Sequence, residues 1–199
     1  MKIIDIIFAL ISGRIIGFVV GDILKGLGIS VGLYESLALW VLLPIITLMC
    51  LWIARIIGKK VLIVFQSAKF VLVGAVATVF DLKFFELLIW SASFFITLNP
   101  LIAKSISFLC STALKYWGNK YWTFGKYEKE NLKKEVLQFF AITVVGLIID
   151  VVAFYYATNI LGPQFSIPQA VWIKLSVIFA AIIAALWNFL GYKFFVFRK

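Results

Sequence analysis

The sequence predicts an all-α polytopic membrane helical bundle: two duplicated two-helix hairpins (four spans) preceded by one or two extra N-terminal helices. Three observations lead there. Apolar residues make up 64% of the 199 positions and charged residues only 14%, with a mean hydropathy of +1.09. A soluble domain of that length cannot hide so much apolar surface, so the solvent is lipid. Four apolar stretches follow residue 65, each near the ~20 residues a helix needs to cross the hydrocarbon. The second pair of stretches then repeats the first: Gln66 and Gly74 answer to Gln138 and Gly146, Asp81 to Asp150, Lys104 to Lys174, and the exit Tyr121–Phe124 to Phe194–Phe197. The offsets are 72, 69, 70 and 73, the mark of a duplicated unit. In membranes such duplications build a shared site between their halves.

Residues 1–65 form an N-terminal helical membrane extension. Met1-Lys2 followed by an apolar run resembles a signal sequence, but no A-x-A site follows, so the segment is expected to be retained. Ile6–Leu24 is a poor span, with Arg14 in its middle and Asp5 and Asp22 near its ends. A crossing there keeps Lys2 on the same side as Lys59 and Lys60; a re-entrant or interfacial helix is the rival. Leu37–Ile57 is a good span that Pro44 is expected to kink.

Residues 66–199 form the four-helix domain, with repeats over 66–124 and 138–197. Its spans run roughly Phe70–Trp90, Leu101–Gly118, Val136–Ile160 and Val171–Leu190. Asn99-Pro100 and Leu161-Gly162-Pro163 are short turns inside each pair. The link from Asn119 to Glu135 is longer and strongly charged, the one clear water-facing loop of the region.

Eleven of the 19 basic residues fall in 58–69, 119–135 and 191–199, and none in 91–100 or 161–169. The positive-inside rule places the first three segments, and with them the C-terminus, in the cytoplasm. Anionic headgroups explain the net charge of +10 more simply than nucleic acid, for which no recognition module is present. Cys50 and Cys110 lie inside apolar segments and read as small buried residues, not as a disulfide. With no histidine and no Cys cluster, neither a metal site nor a cofactor is expected.

The entry Lys69-Phe70-Val71-Leu72-Val73-Gly74, followed by Ala77-Thr78 and Asp81, resembles that of the GtrA-like family of small membrane proteins. The exit Asn119-Lys120-Tyr121-Trp122-Thr123-Phe124 is close to that family's N-R-x-W-T-F. The second exit, Asn188-Phe189 with Tyr192–Phe197, is similar to its N-F…R-x-W-V-F, with Lys193 for Arg and Phe195 for Trp. The resemblance covers about residues 66–199 and leaves the first 65 unexplained. It implies a role in moving, or supporting synthesis of, polyprenyl-phosphate-linked sugars for cell-surface polysaccharide. Similar four-helix domains fused to polyprenyl-phosphate sugar synthases anchor and oligomerise the enzyme.

An ionisable group at membrane depth costs roughly 2.5–3.5 kcal/mol even on the lenient insertion scale. Asp81 lies eleven residues into its span, near the midplane at ~1.5 Å per residue, and Asp150 lies at the same depth in the third. Lys83 and Glu86 are i,i+3 neighbours able to pair. Lys104 and Lys174 stand about one turn below the outer ends of their spans, where they could bind a lipid phosphate or snorkel to headgroups. Asp81 and Asp150 would balance them, or simply fix helix packing through hydrogen bonds. Lys115 is expected to snorkel, and Arg14 either joins the site or pairs with Asp5 or Asp22. Asn119 and Asn188 cap helix ends or touch a headgroup. Gly74/Thr78, Ser107/Ser111, Ala180/Ala184 and Ala181/Ala185 are small-residue seams.

No catalytic constellation and no phosphate loop is present, so an enzyme is not expected. The leading expectation is a flippase: the head of a polyprenyl-phosphate sugar passes between the hairpins. Lys83, Lys104 and Lys174 bind phosphate while Asp81 and Asp150 gate. The second is a non-catalytic scaffold recruiting a membrane glycosyltransferase through the basic loop, and a small-solute transporter is third. A homo-oligomer would supply a longer pathway.

Overall fold

The computed structural model describes residues 2–26, 32–92, 99–128, 131–165 and 168–198. The chain is all-α and divides into two compact units, Met1–Gly125 and Lys126–Lys199. The first holds α1 (Ile3–Gly26), α2 (Leu33–Gly58), α3 (Leu62–Ala92) and α4 (Pro100–Trp117); the second holds α5 (Leu132–Tyr155) and α6 (Gln169–Gly191). The extension is therefore packed into one unit with the first hairpin: α1 and α2 lie on each other and both contact α3, which in turn packs on α4.

Among the described residues, four helical segments are long and apolar enough to cross a membrane, Leu33–Gly58, Leu62–Ser91, Leu132–Leu161 and Leu175–Val196. The span expected over Leu101–Gly118 is not among them. Lys104, Lys115 and the hydroxyls of Ser105, Ser107, Ser111 and Thr112 make α4 the most amphipathic helix of the chain. Its polar stripe has a use inside the first unit, described below.

Pro44 does not interrupt α2, which runs unbroken from Leu33 to Gly58. Pro44 also lies where α1 approaches closely. A Cβ on Gly13 would stand 2.5 Å from the Pro44 Cα, and the Thr47 hydroxyl donates across to the Ala9 carbonyl at 3.0 Å. The core of this unit gathers Ala9, Leu51, Val73 and Trp122, with Phe65 and Leu72 packed against them.

Each hairpin leaves through a π-helical turn, Gly118–Thr123 in the first unit and Tyr192–Val196 in the second. Their i→i−5 bonds run from Phe124 N–H to the Asn119 carbonyl (2.9 Å) and from Phe197 N–H to the Tyr192 carbonyl (2.7 Å). Both are 73 positions apart. Gly118 faces Val73 and Gly191 faces Ile142, and Phe70 and Phe139 are both buried; these first-helix partners are 69 apart. The contacts thus put the repeat register of the first helices at 69, where the sequence pairing of Gln66 with Gln138 and Gly74 with Gly146 uses 72.

Large apolar side chains face outward, among them Leu137 and Phe195 at 71% and 72% exposure, the lipid-facing surface of a multi-pass membrane protein. Cys50 and Cys110 belong to that surface: both are exposed, against the expectation that they are buried. A membrane helix has apolar environment on its outside as well as its inside, so an apolar sequence neighbourhood does not separate the two. The seams are likewise divided. Ser107, Ser111, Ala180 and Ala184 are buried, whereas Thr78 is exposed and no atom lies near a Cβ placed on Gly74.

Candidate functional site

α3 and α4 cross with their polar residues turned to each other. Asp81 of α3 pairs with Lys104 of α4 and accepts a hydrogen bond from the Ser107 hydroxyl at 2.7 Å. Ser107 is fully buried and lies one turn beyond Lys104, so one helix face supplies both contacts. The carboxylate is well covered and the ammonium is not: side-chain exposure is 18% for Asp81 and 53% for Lys104. Asp81 is thus an anchored anion and Lys104 a cation with room for a second partner. Two turns of helix hold a neutral, hydrogen-bonded charge pair, which lowers the cost of placing either ion in lipid.

Lys83 pairs with Glu86 on the same helix at 3.0 Å. It also lines a cavity of about 420 Å³ whose walls are Trp40, Val76, Val79, Phe80 and Leu114, with Arg14 entering from α1. Arg14 does not pair with Asp5. Its guanidinium lies over the Trp40 ring at 3.7 Å. The side chains of Asp22 and Lys174, and all of Lys129 and Glu130, lie outside the described residues.

Within the first unit, Asn119 is not brought to Asp81. Asn119 is fully buried in the first π turn, donating its side-chain amide to the Lys115 carbonyl at 2.9 Å. It lies fifteen residues along the α4 axis from Lys104, roughly 22 Å at helical rise. Of the two expectations for Asn119, bonding at a helix end is what the structure supplies. Asn188 is buried on α6, its amide against Gly146. Asp150 is half-buried on α5.

Two lysine clusters at the π exits escaped sequence reasoning. In the first unit Asp5 and Lys69 form a buried ion pair at 2.5 Å. Lys69 also donates to the Trp122 carbonyl at 3.4 Å, and the Trp122 indole donates to Asp5 at 3.0 Å. Phe8 stacks on Trp122, ring centroids 4.9 Å apart. In the second unit Lys126 pairs with the buried Glu135 at 3.2 Å and donates to the Val196 carbonyl at 3.1 Å. A π turn leaves carbonyls without their usual intrahelical donors, and in each unit a lysine satisfies one. Glu135 lies 69 positions after Gln66, so the first unit lacks a carboxylate at that place. The extension supplies it as Asp5. The signal was visible only in part: Asp5 read as a charge at a span end, and its partner lay sixty-four residues away.

The basic link is correspondingly less available than its composition implies. Lys120 is fully buried and Lys126 is engaged, which among the described residues of the link leaves Lys133 and Lys134 exposed on α5.

A family model described as GtrA/DPMS, transmembrane domain, matches residues 69–197. No curated protein and no solved structure matches the chain. The match begins at Lys69 and ends at Phe197, so it takes in both hairpins and both π exits and leaves α1 and α2 outside.

Proposed function

Because the chain belongs to the GtrA/DPMS transmembrane-domain family, which ties it to polyprenyl-phosphate sugar pathways, we propose that it moves a polyprenyl-phosphate-linked sugar across the membrane. The observation that carries this reading is the asymmetry of the Asp81–Lys104 pair. Its carboxylate is held by Ser107 and covered, while its ammonium is half exposed. A lipid phosphate approaching through the bilayer can therefore compete for Lys104 without uncovering Asp81. When the phosphate leaves, Asp81 neutralises the lysine again. The empty pair is neutral, and a phosphodiester seated on Lys104 leaves the three groups with one net negative charge, partly offset by the hydrogen bond from Ser107 to Asp81. No covalent bond is made or broken in this reading. The basic ends 58–69, 119–135 and 191–199 face the cytoplasm of the cell membrane.

The test is leaflet exposure. Vesicles holding the purified protein and a fluorescent lipid-linked sugar should expose the label to an external quencher faster than empty vesicles do. Equal rates would end the carrier reading.

The second reading, a scaffold that recruits a glycosyltransferase, is favoured by one feature. Lys133 borders an apolar groove of about 450 Å³ formed with Leu132, Val136, Leu137 and Phe140 at the start of α5. Charge reversal at Lys133 and Lys134 should abolish co-purification of such an enzyme under this reading and leave lipid movement unchanged under the first.

A further inference from the structure

Arg14 is an ion in need of a counter-ion. It sits halfway along α1, a helix of predominantly apolar residues, and no carboxylate pairs with it among the described residues. The oxygens of Asp5, one of its expected partners, are engaged by Lys69, Trp122 and the Lys2 amide. What holds the guanidinium is the face of Trp40, an attraction that fixes its position but leaves its charge in place. The ring and the guanidinium together form one end of the cavity that Lys83 also lines. Its volume of about 420 Å³ falls within the range of small-molecule sites, and its lining is mostly apolar, as for an amphiphile.

We propose that Arg14 anchors a lipid phosphodiester in this cavity, a proposal that rests on the carrier reading and adds the extension to the site. The charge balance selects the diester. Lys83, the other ion lining the cavity, is matched by Glu86, so the charge left over there is the single positive charge of Arg14. A phosphodiester carries one negative charge and neutralises it. A diphosphate or a phosphomonoester brings more and leaves excess negative charge in a low-dielectric setting. The planar guanidinium suits two phosphate oxygens at once, while the apolar walls take the first part of the hydrocarbon tail. The same chemistry is offered by an isoprenoid phosphosugar and by an anionic phospholipid of the bilayer.

The test is binding to the full-length protein in detergent, read by native mass spectrometry. The probes are farnesyl phosphoglucose, farnesyl diphosphate and farnesol, with phosphatidylglycerol as competitor. Farnesyl phosphoglucose should bind at least about tenfold more tightly than either other farnesyl probe. Arg14→Gln should weaken it by about tenfold, Arg14→Lys by less, and Lys59→Gln not at all. Competition by phosphatidylglycerol with the same dependence on Arg14 would assign the site to a bilayer lipid, and failure to compete would assign it to the isoprenoid diester. Diester binding unchanged in Arg14→Gln would overturn the proposal, and so would preferential binding of the diphosphate. If Arg14→Gln does not accumulate, Trp40→Leu removes the seat of the guanidinium and is read the same way. The two proposals fail separately. Protein that moves lipid but binds it independently of Arg14 loses this inference alone; protein that binds through Arg14 but moves nothing loses the carrier reading alone.

Discussion

The Asp5 carboxylate lies 2.5 Å from the Lys69 ammonium, with side chains only 4% and 11% exposed. The pair joins a helix outside the family match to the first residue inside it. Removing one partner strands the other as a buried charge, which costs about 3–5 kcal/mol, whereas replacing both by apolar residues of similar size is close to neutral. Asp5→Leu and Lys69→Met are therefore each expected to lower the midpoint of thermal unfolding in detergent steeply, and the double variant to recover part of the loss, since it also removes the contacts of both side chains with Trp122. Additive losses would show that the ions act independently.

Gly118 and Gly191 stand at corresponding close helix crossings in the two hairpins. A Cβ would meet Val73 Cγ1 at 2.8 Å in the first and Ile142 Cγ2 at 2.6 Å in the second. Overpacking of that kind costs about 1–3 kcal/mol. Gly118→Ala and Gly191→Ala should each destabilise by that amount, and Val73→Ala and Ile142→Ala should each rescue only the glycine variant of its own unit. The unfolding midpoints of the four double combinations check the pairing. Rescue across units would break the correspondence of contacts.

These contacts show what the sequence could and could not disclose. The all-α membrane bundle and the paired exits followed from hydropathy and spacing, because lipid forces every apolar segment into a helix. The Lys83–Glu86 pair was legible as well, since three residues on one helix have a fixed geometry. The partner of Asp81 was not: only packing shows that Lys104, on the next helix, reaches the carboxylate. The burial of Lys120 was hidden by its place in a basic loop. The role of Asp5 was hidden because contacts between helices distant in sequence leave no periodic trace. Arg14 was left between joining the site and pairing with Asp5 or Asp22, and only the structure shows its seat on Trp40 beside the cavity.

The second π exit offers a check on the lysine cap. Lys126 serves both Glu135 and the Val196 carbonyl, so Lys126→Ala removes a charge-assisted hydrogen bond and leaves Glu135 buried without that cation. A loss of about 2–4 kcal/mol is expected, with Glu135→Gln in the same chain recovering part of it. Hydrogen exchange should show faster opening of the amides near Val196 in Lys126→Ala. Unchanged protection there would mean that the lysine contributes nothing to the turn.

The Asp81–Lys104 pair separates transport from packing. If its work is to hold α3 on α4, then Asp81→Asn with Lys104→Gln keeps hydrogen bonding, removes both charges, and should preserve folding and lipid movement alike. If Lys104 is the phosphate's partner, the same double variant folds as well as the parent but moves the labelled lipid no faster than empty vesicles. Ser107→Ala refines the answer. It takes from Asp81 a hydrogen bond worth about 1.5–3 kcal/mol to a charged group, so the carboxylate holds Lys104 less well by itself. Under the carrier reading Ser107→Ala should shift the balance of lipid binding measurably while the double variant abolishes movement. Under the packing reading it should change stability alone. Leaflet exposure and thermal unfolding, measured on the same reconstituted preparations, decide between them.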